Sequence, residues 1–123
     1  MVMAVRPGVA GAQQQVLPVP VLEVHYEETV ADLVTLLRLP LVVVTRRALG
    51  TLNHTLLTVE AARSRGLPVV GVVVSETTPP QGLAEETNVD ELRRRLDVPL
   101  LAVVPHGAEP AALAAVDWLR LCR

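Results

Sequence analysis

The sequence predicts an α/β protein, a parallel β-sheet with flanking helices in three layers, and three observations predict it. Continuous apolar runs rich in β-branched residues recur at Leu41 to Thr45, Leu67 to Ser75 and Pro99 to His106, about thirty residues apart, the length of one strand-helix-strand unit. The stretches between them carry apolar residues at helical spacing: Leu52, Leu56 and Val59 in the first, Leu92 and Leu96 in the second. No apolar run approaches the length of a membrane span, so the runs read as strands buried on both faces. The core strands are expected near 41–45, 69–75 and 100–104, parallel, with right-handed crossovers through the intervening helices.

Composition bounds what such a unit does. At 123 residues, half of them apolar and 20% charged, the chain reads as one globular domain over 1–123. Tyr26 and Trp118 are the only aromatic residues, so the core is aliphatic and the stacking platforms of single-strand nucleic-acid binders are missing. A net charge of −2 gives no general attraction to nucleic acid or to an acidic membrane. The single Cys122 has no partner for an internal disulfide or a zinc site, which fits a reducing cytoplasm. All eleven basic side chains are arginine. The lysine of a phosphate-binding loop is therefore absent, as are GxxxxGK[ST] and GxGxxG. Residues 1–15 have neither the charged start nor the apolar core of a signal peptide.

In chain order, Met1 to Gly8 read as a frayed, disordered lead-in, because Pro7 and Gly8 punctuate before any periodic pattern is established. Pro18 and Pro20 confine 16–22 to an extended piece at a sheet edge. His25 stands alone in a polar loop and reads as a surface residue. Thr29 is a good N-cap for a helix whose inner side is Val30, Leu33, Val34 and Leu37, stopping before Pro40. The first core strand then passes into Gly50-Thr51-Leu52-Asn53, where a helix start presents free backbone N–H groups at the carboxyl end of a parallel strand. That turn is the candidate anion site. Gly66 suits a left-handed cap at the helix end. After the second strand, Asn88 stands three residues before Glu91 as a capping-box-like helix start, with Arg93, Arg94 and Arg95 on the wet face. After the third, Pro110 opens a final helix with Leu113, Val116, Leu119 and also Trp118 on its inner side.

Several of these words, taken together, resemble one family. LPLVVVT followed by LGTLNHTLLT, then RGLPV, then GVVVS, is similar to dethiobiotin synthetase, the ATP-dependent enzyme that closes the ureido ring in biotin synthesis. The resemblance runs from Val9 to about His106 and matches the second half of that family's domain. It implies a partial P-loop NTPase-like fold lacking its phosphate-loop half, with ATP and Mg²⁺ as the family's cofactors and 7,8-diaminononanoate as its substrate. Gly50, Thr51, Leu52 and Asn53 match the helix start that reaches the substrate carboxylate across the family's dimer. His54 belongs to the same word and reads as packed. Ser75 and Glu76, with Pro105, His106 and Gly107, match the region beside the nucleotide base, where Ser75 replaces an asparagine and weakens purine recognition. Ala10 replaces an acidic magnesium ligand, and Gln13 and Gln14 replace glycines that let backbone approach nucleotide and substrate. No catalytic or metal-ligating residue is assigned.

Subtraction of parts therefore predicts that the chain alone does not make dethiobiotin. Three roles remain open at this level: a synthetase component completed by a separately encoded phosphate-loop half, a degenerate pseudoenzyme that still self-associates, and a scaffolding half-domain acting through an exposed sheet edge. All three imply a homodimer or a heteromer, with no nucleic acid and no membrane as partner.

Overall fold

The computed structural model describes residues 2–4, 29–108 and 111–123. One four-stranded sheet has the order β1 (Val2–Ala4), β2 (Leu41–Arg46), β3 (Val69–Ser75), β4 (Leu100–Val104). The three core strands pair in parallel where they were expected. β1 pairs antiparallel with β2, Val2 opposite Val43 and Ala4 opposite Leu41. The frayed lead-in is thus corrected at 2–4, where three residues find the backbone groups of the β2 edge. The expected edge piece at 16–22 lies outside the described residues, as do Ala10, Gln13 and Gln14.

Alternation along the strands divides the core between two faces. Leu41 and Val43 of β2 and Val72 and Val74 of β3 point to one side, where α1 (Val30–Leu37), α2 (Thr51–Ser64) and α3 (Leu83–Arg95) bring Val34, Val59, Ala62, Val89 and Leu92. Val42, Val73 and Ala102 point to the other, under Leu113 of α4 (Ala111–Ala114), Val116, and Trp118 of α5 (Trp118–Leu121). Two register shifts adjust the ladder, one between β2 and β3 at Val42, the other between β3 and β4 at Val73. The second shift accompanies a close approach: a Cβ on Gly71 would stand 2.5 Å from Leu101 Cγ, so only glycine leaves room for that side chain.

Thr29 caps α1 in a capping box. Hydrogen bonds from the Thr29 hydroxyl and amide, with the Arg65 guanidinium, lower the Asp32 carboxyl to about 2. A group depressed on folding stabilises above its ordinary value and loses that contribution as pH falls through the folded one. Protection of the first-turn amides of α1, taken relative to the intrinsic exchange rate at each pH, is accordingly expected to fall between about pH 4 and pH 2. In Asp32→Asn it should already be low at neutral pH, and a pH series by NMR checks both outcomes.

Three helical expectations are corrected. Only Val34 of the proposed α1 stripe is buried, while Val30 and Leu37 are exposed, so α1 touches the sheet along a narrower line than its pattern allows. α3 begins at Leu83 after Gly82, whose φ of 83° sets the chain's entry, and Asn88 is a buried mid-helix residue instead of a cap. The final helix is two, because the Asp117 carboxylate accepts from the Arg120 amide at 3.0 Å and starts a new one. Trp118 rather than Leu119 turns inward, its indole N–H donating to Leu113 O at 3.0 Å.

Candidate functional site

All the residues singled out at strand ends lie at one edge of the sheet, because β2, β3 and β4 run in the same direction and their carboxyl ends are level: Arg46 stands opposite Ser75, and Ser75 opposite Val104. That edge is where open parallel sheets hold ligands. It carries two subsites.

The first is the start of α2. Gly50 precedes the helix with φ 87°, a value that strains any residue with a Cβ, and gives it no side-chain cap. The Thr51 amide donates to Ala48 O and the His54 amide to Gly50 O, while the Leu52 and Asn53 amides have no partner among the described residues. The buried stripe of α2 is Thr51, Thr55, Val59 and Ala62, with Leu52 and Leu56 half-buried beside it. Two threonines on an inner face join Thr45 of β2 in a chain of hydroxyls. Thr55 donates to Thr45 at 2.9 Å, and Thr45 and Thr51 share a bond of 2.8 Å. Three O–H groups with two bonds among them leave one donor over, on Thr45 or Thr51. Both line a cavity of about 420 Å³ with Arg46, Leu49, His54 and Thr58. His54 is exposed at this cavity, correcting its reading as packed; its Cε1 is 3.6 Å from where a Gly50 Cβ would stand. Backbone N–H groups, a leftover hydroxyl donor and a nearby guanidinium are the donor set of an anion site.

The second subsite joins the ends of β3 and β4. The structure brings Glu76 and His106 together: the His106 amide donates to Glu76 Oε2 at 3.2 Å, and the Glu76 amide to Val104 O at 2.9 Å. The other carboxylate oxygen, Oε1, accepts from Arg47 Nη1 at 2.5 Å, and both side chains of the pair are largely buried. The Arg47 guanidinium holds the Glu76 carboxyl below its usual range against the burial that raises it, and the His106 amide adds to the effect. Both carboxylate oxygens of Glu76 are therefore engaged inside the protein, while His106 and Gly107 are exposed at the same end of the sheet. Gly107 adopts φ 69° at the turn.

Sequence reasoning missed Arg47, Asn88 and the threonine chain. Arg47 Nε donates to Glu85 O at 2.7 Å and Nη2 to Glu86 O at 3.0 Å. Asn88 Nδ2 donates to Ala48 O at 3.3 Å, and its buried Oδ1 has no partner among the described residues. These partners are 38 to 40 positions away in the chain, and no local pattern announces them. The one available signal was the polar Asn88 within an otherwise helical stretch.

Among the described residues no group of three or more His, Cys, Asp or Glu side chains is placed to hold a metal ion.

A family model for an AAA domain matches residues 14–111. The ATP-dependent dethiobiotin synthetase BioD of Aromatoleum aromaticum is 48% identical over 87 residues, 69% of this chain and 38% of that protein. The enzyme of the same name from Cellvibrio japonicus is 47% identical over 94 residues, 76% of this chain and 41% of that one. For Anaeromyxobacter dehalogenans the figures are 41% over 106 residues, 86% and 45%. The chain thus spans less than half the length of the curated relatives it matches.

Proposed function

Since the chain belongs to the AAA domain family, we propose that it forms the carboxylate-binding and base-flanking part of a dethiobiotin synthetase, acting in biotin biosynthesis on 7,8-diaminononanoate. The observation that carries this reading is the start of α2 without a side-chain cap, with two amides that have no partner among the described residues and a leftover threonine hydroxyl beside a cavity of about 420 Å³. Phosphoryl transfer needs backbone amides around the phosphates, a lysine and a metal. The 123 residues contain no lysine and no GxxxxGK[ST]. Those parts would come from polypeptide beyond these residues. ATP and Mg²⁺, when bound there, supply the activated phosphoryl group; this chain's own contribution is to seat the substrate carboxylate on α2 and to flank the base with Ser75 and His106.

The chain alone is accordingly expected to form no dethiobiotin from 7,8-diaminononanoate, bicarbonate and Mg-ATP, and to gain activity with a phosphate-loop half. Calorimetry returning micromolar Mg-ATP affinity for the chain alone would overturn the division of parts. Thr51→Val, which keeps volume and removes one hydroxyl, should weaken 7,8-diaminononanoate in the reconstituted complex about tenfold, the worth of one hydrogen bond to a charged group. Unchanged affinity would remove the helix start from the site.

A second reading, a scaffolding half-domain acting through association, is favoured by Leu49 and Leu57, which are 83% and 61% exposed beside and along α2. Both readings place a homodimer or heteromer contact there. A monodisperse 13.2 kDa species by light scattering at tens of micromolar, with the partner half present, excludes both.

A further inference from the structure

Arg47 leaves the end of β2 and its side chain reaches two further elements. Its Nη1 meets Glu76 at the end of β3, and its Nε and Nη2 meet the first-turn carbonyls of α3 at Glu85 and Glu86. The second oxygen of Glu76 accepts from the His106 amide after β4. On its other side Arg47 is followed by Ala48, whose carbonyl accepts from both Thr51 N and Asn88 Nδ2. A path of hydrogen bonds, joined by the peptide bond between Arg47 and Ala48, therefore runs from the start of α2, through Ala48, Arg47 and Glu76, to the segment 105–107. Every nitrogen of the guanidinium and both oxygens of the carboxylate are engaged in it. The planar fork of arginine is what permits three acceptors on two elements at once, and lysine cannot reproduce that geometry.

We infer that Arg47 and Glu76 are positioning residues that couple the two subsites, so that the seat of the base at 105–107 and the seat of the carboxylate on α2 move as one body. Neither side chain faces a ligand; each acts through the backbone it holds. The assignment of ligands rests on the function proposed above, while the coupling itself is a property of the free chain. In a completed synthetase it means that a nucleotide ordering 105–107 tightens the diamine on α2, and by linkage the reverse, commonly within a range of about 5- to 150-fold.

Amide-resolved hydrogen exchange on the whole chain tests this without any ligand. Arg47→Lys is expected to raise exchange at the His106 amide about tenfold, although Arg47 does not touch His106. Glu76→Gln is expected to raise it at Thr51 and to shift the Leu52 and Asn53 amide resonances, although Glu76 does not touch α2. The double variant should match the larger single effect instead of their sum. Leu92→Ala, which destabilises the same layer from outside the set, should leave the His106 amide at its wild-type ratio to the core amides. Effects confined to each variant's own neighbours, or additive in the double, overturn the coupling. If relay variants behave as expected while no carboxylate ligand binds the reconstituted complex, the functional reading fails and the coupling stands.

Discussion

Leu92→Ala is expected to lower the free energy of unfolding by about 2 to 5 kcal/mol. Leu92 is fully buried in α3, in one cluster with Val74 and Val89, against which Leu52, Leu96, Leu100 and Val103 pack. The substitution removes its transfer free energy and leaves a void that parts of α2, α3, β3 and β4 border, and four elements cannot all relax into it. A domain of this size has about 5 to 15 kcal/mol to lose, so the variant should unfold at markedly lower urea with an unchanged slope. Leu83→Ala in the same helix, at a residue 75% exposed, should change stability by less than about 0.5 kcal/mol. Equal midpoints for the two variants would mean that α3 does not pack as described.

The second large effect belongs to Glu76→Gln. Breaking a buried ion pair by removing one partner costs about 3 to 5 kcal/mol because the survivor is left uncompensated. Here Arg47 keeps two carbonyl acceptors and its side chain is 18% exposed, which places the expected loss nearer 2 to 3 kcal/mol. The loss also has a pH signature. The folded Glu76 carboxyl is depressed, so its contribution is complete above about pH 4.3, the ordinary glutamate value, and disappears as pH falls through the folded value. The difference in urea midpoint between wild type and Glu76→Gln should therefore be constant near neutrality and shrink in acid. A difference that stays constant down to pH 3 would show that the carboxylate's charge is not what stabilises the pair.

The elements that could be read from the sequence are those whose identity is settled by local, one-dimensional pattern. Leu41 to Thr45 and Leu100 to Val104 are continuous β-branched or leucine runs between breakers, and no helix of that length buries both faces. Thr29 and Asp32 announce a helix start by their spacing alone. The start of α3 could not be read, because Gly82 caps by conformation instead of by a side chain, and Asn88 offers an oxygen at capping distance from Glu91 while being used from inside the helix. The turn 50–53 was legible as a helix start, but the donors behind it were not: Thr45, Thr51 and Thr55 come together only once strand and helix are packed. Glu76 shows the converse. Its place at the carboxyl end of the second core strand followed from the words around it, and its engagement with Arg47 followed from folding.

The sheet also has a direction in time. In the order β2-β3-β4 each new strand of the core lies beside the one synthesised just before it, with no later strand inserted between earlier neighbours. Assembly can therefore follow translation, one strand-helix unit at a time, without undoing a contact already made. The segment from Ala111 to Leu121 follows these three strands, and it brings the only tryptophan of the sequence onto the face formed by Val42, Val73 and Ala102. Trp118 emission is thus a built-in clock for completion of the second layer, silent while the first three strands and their helices form and changing only when the face beneath it closes.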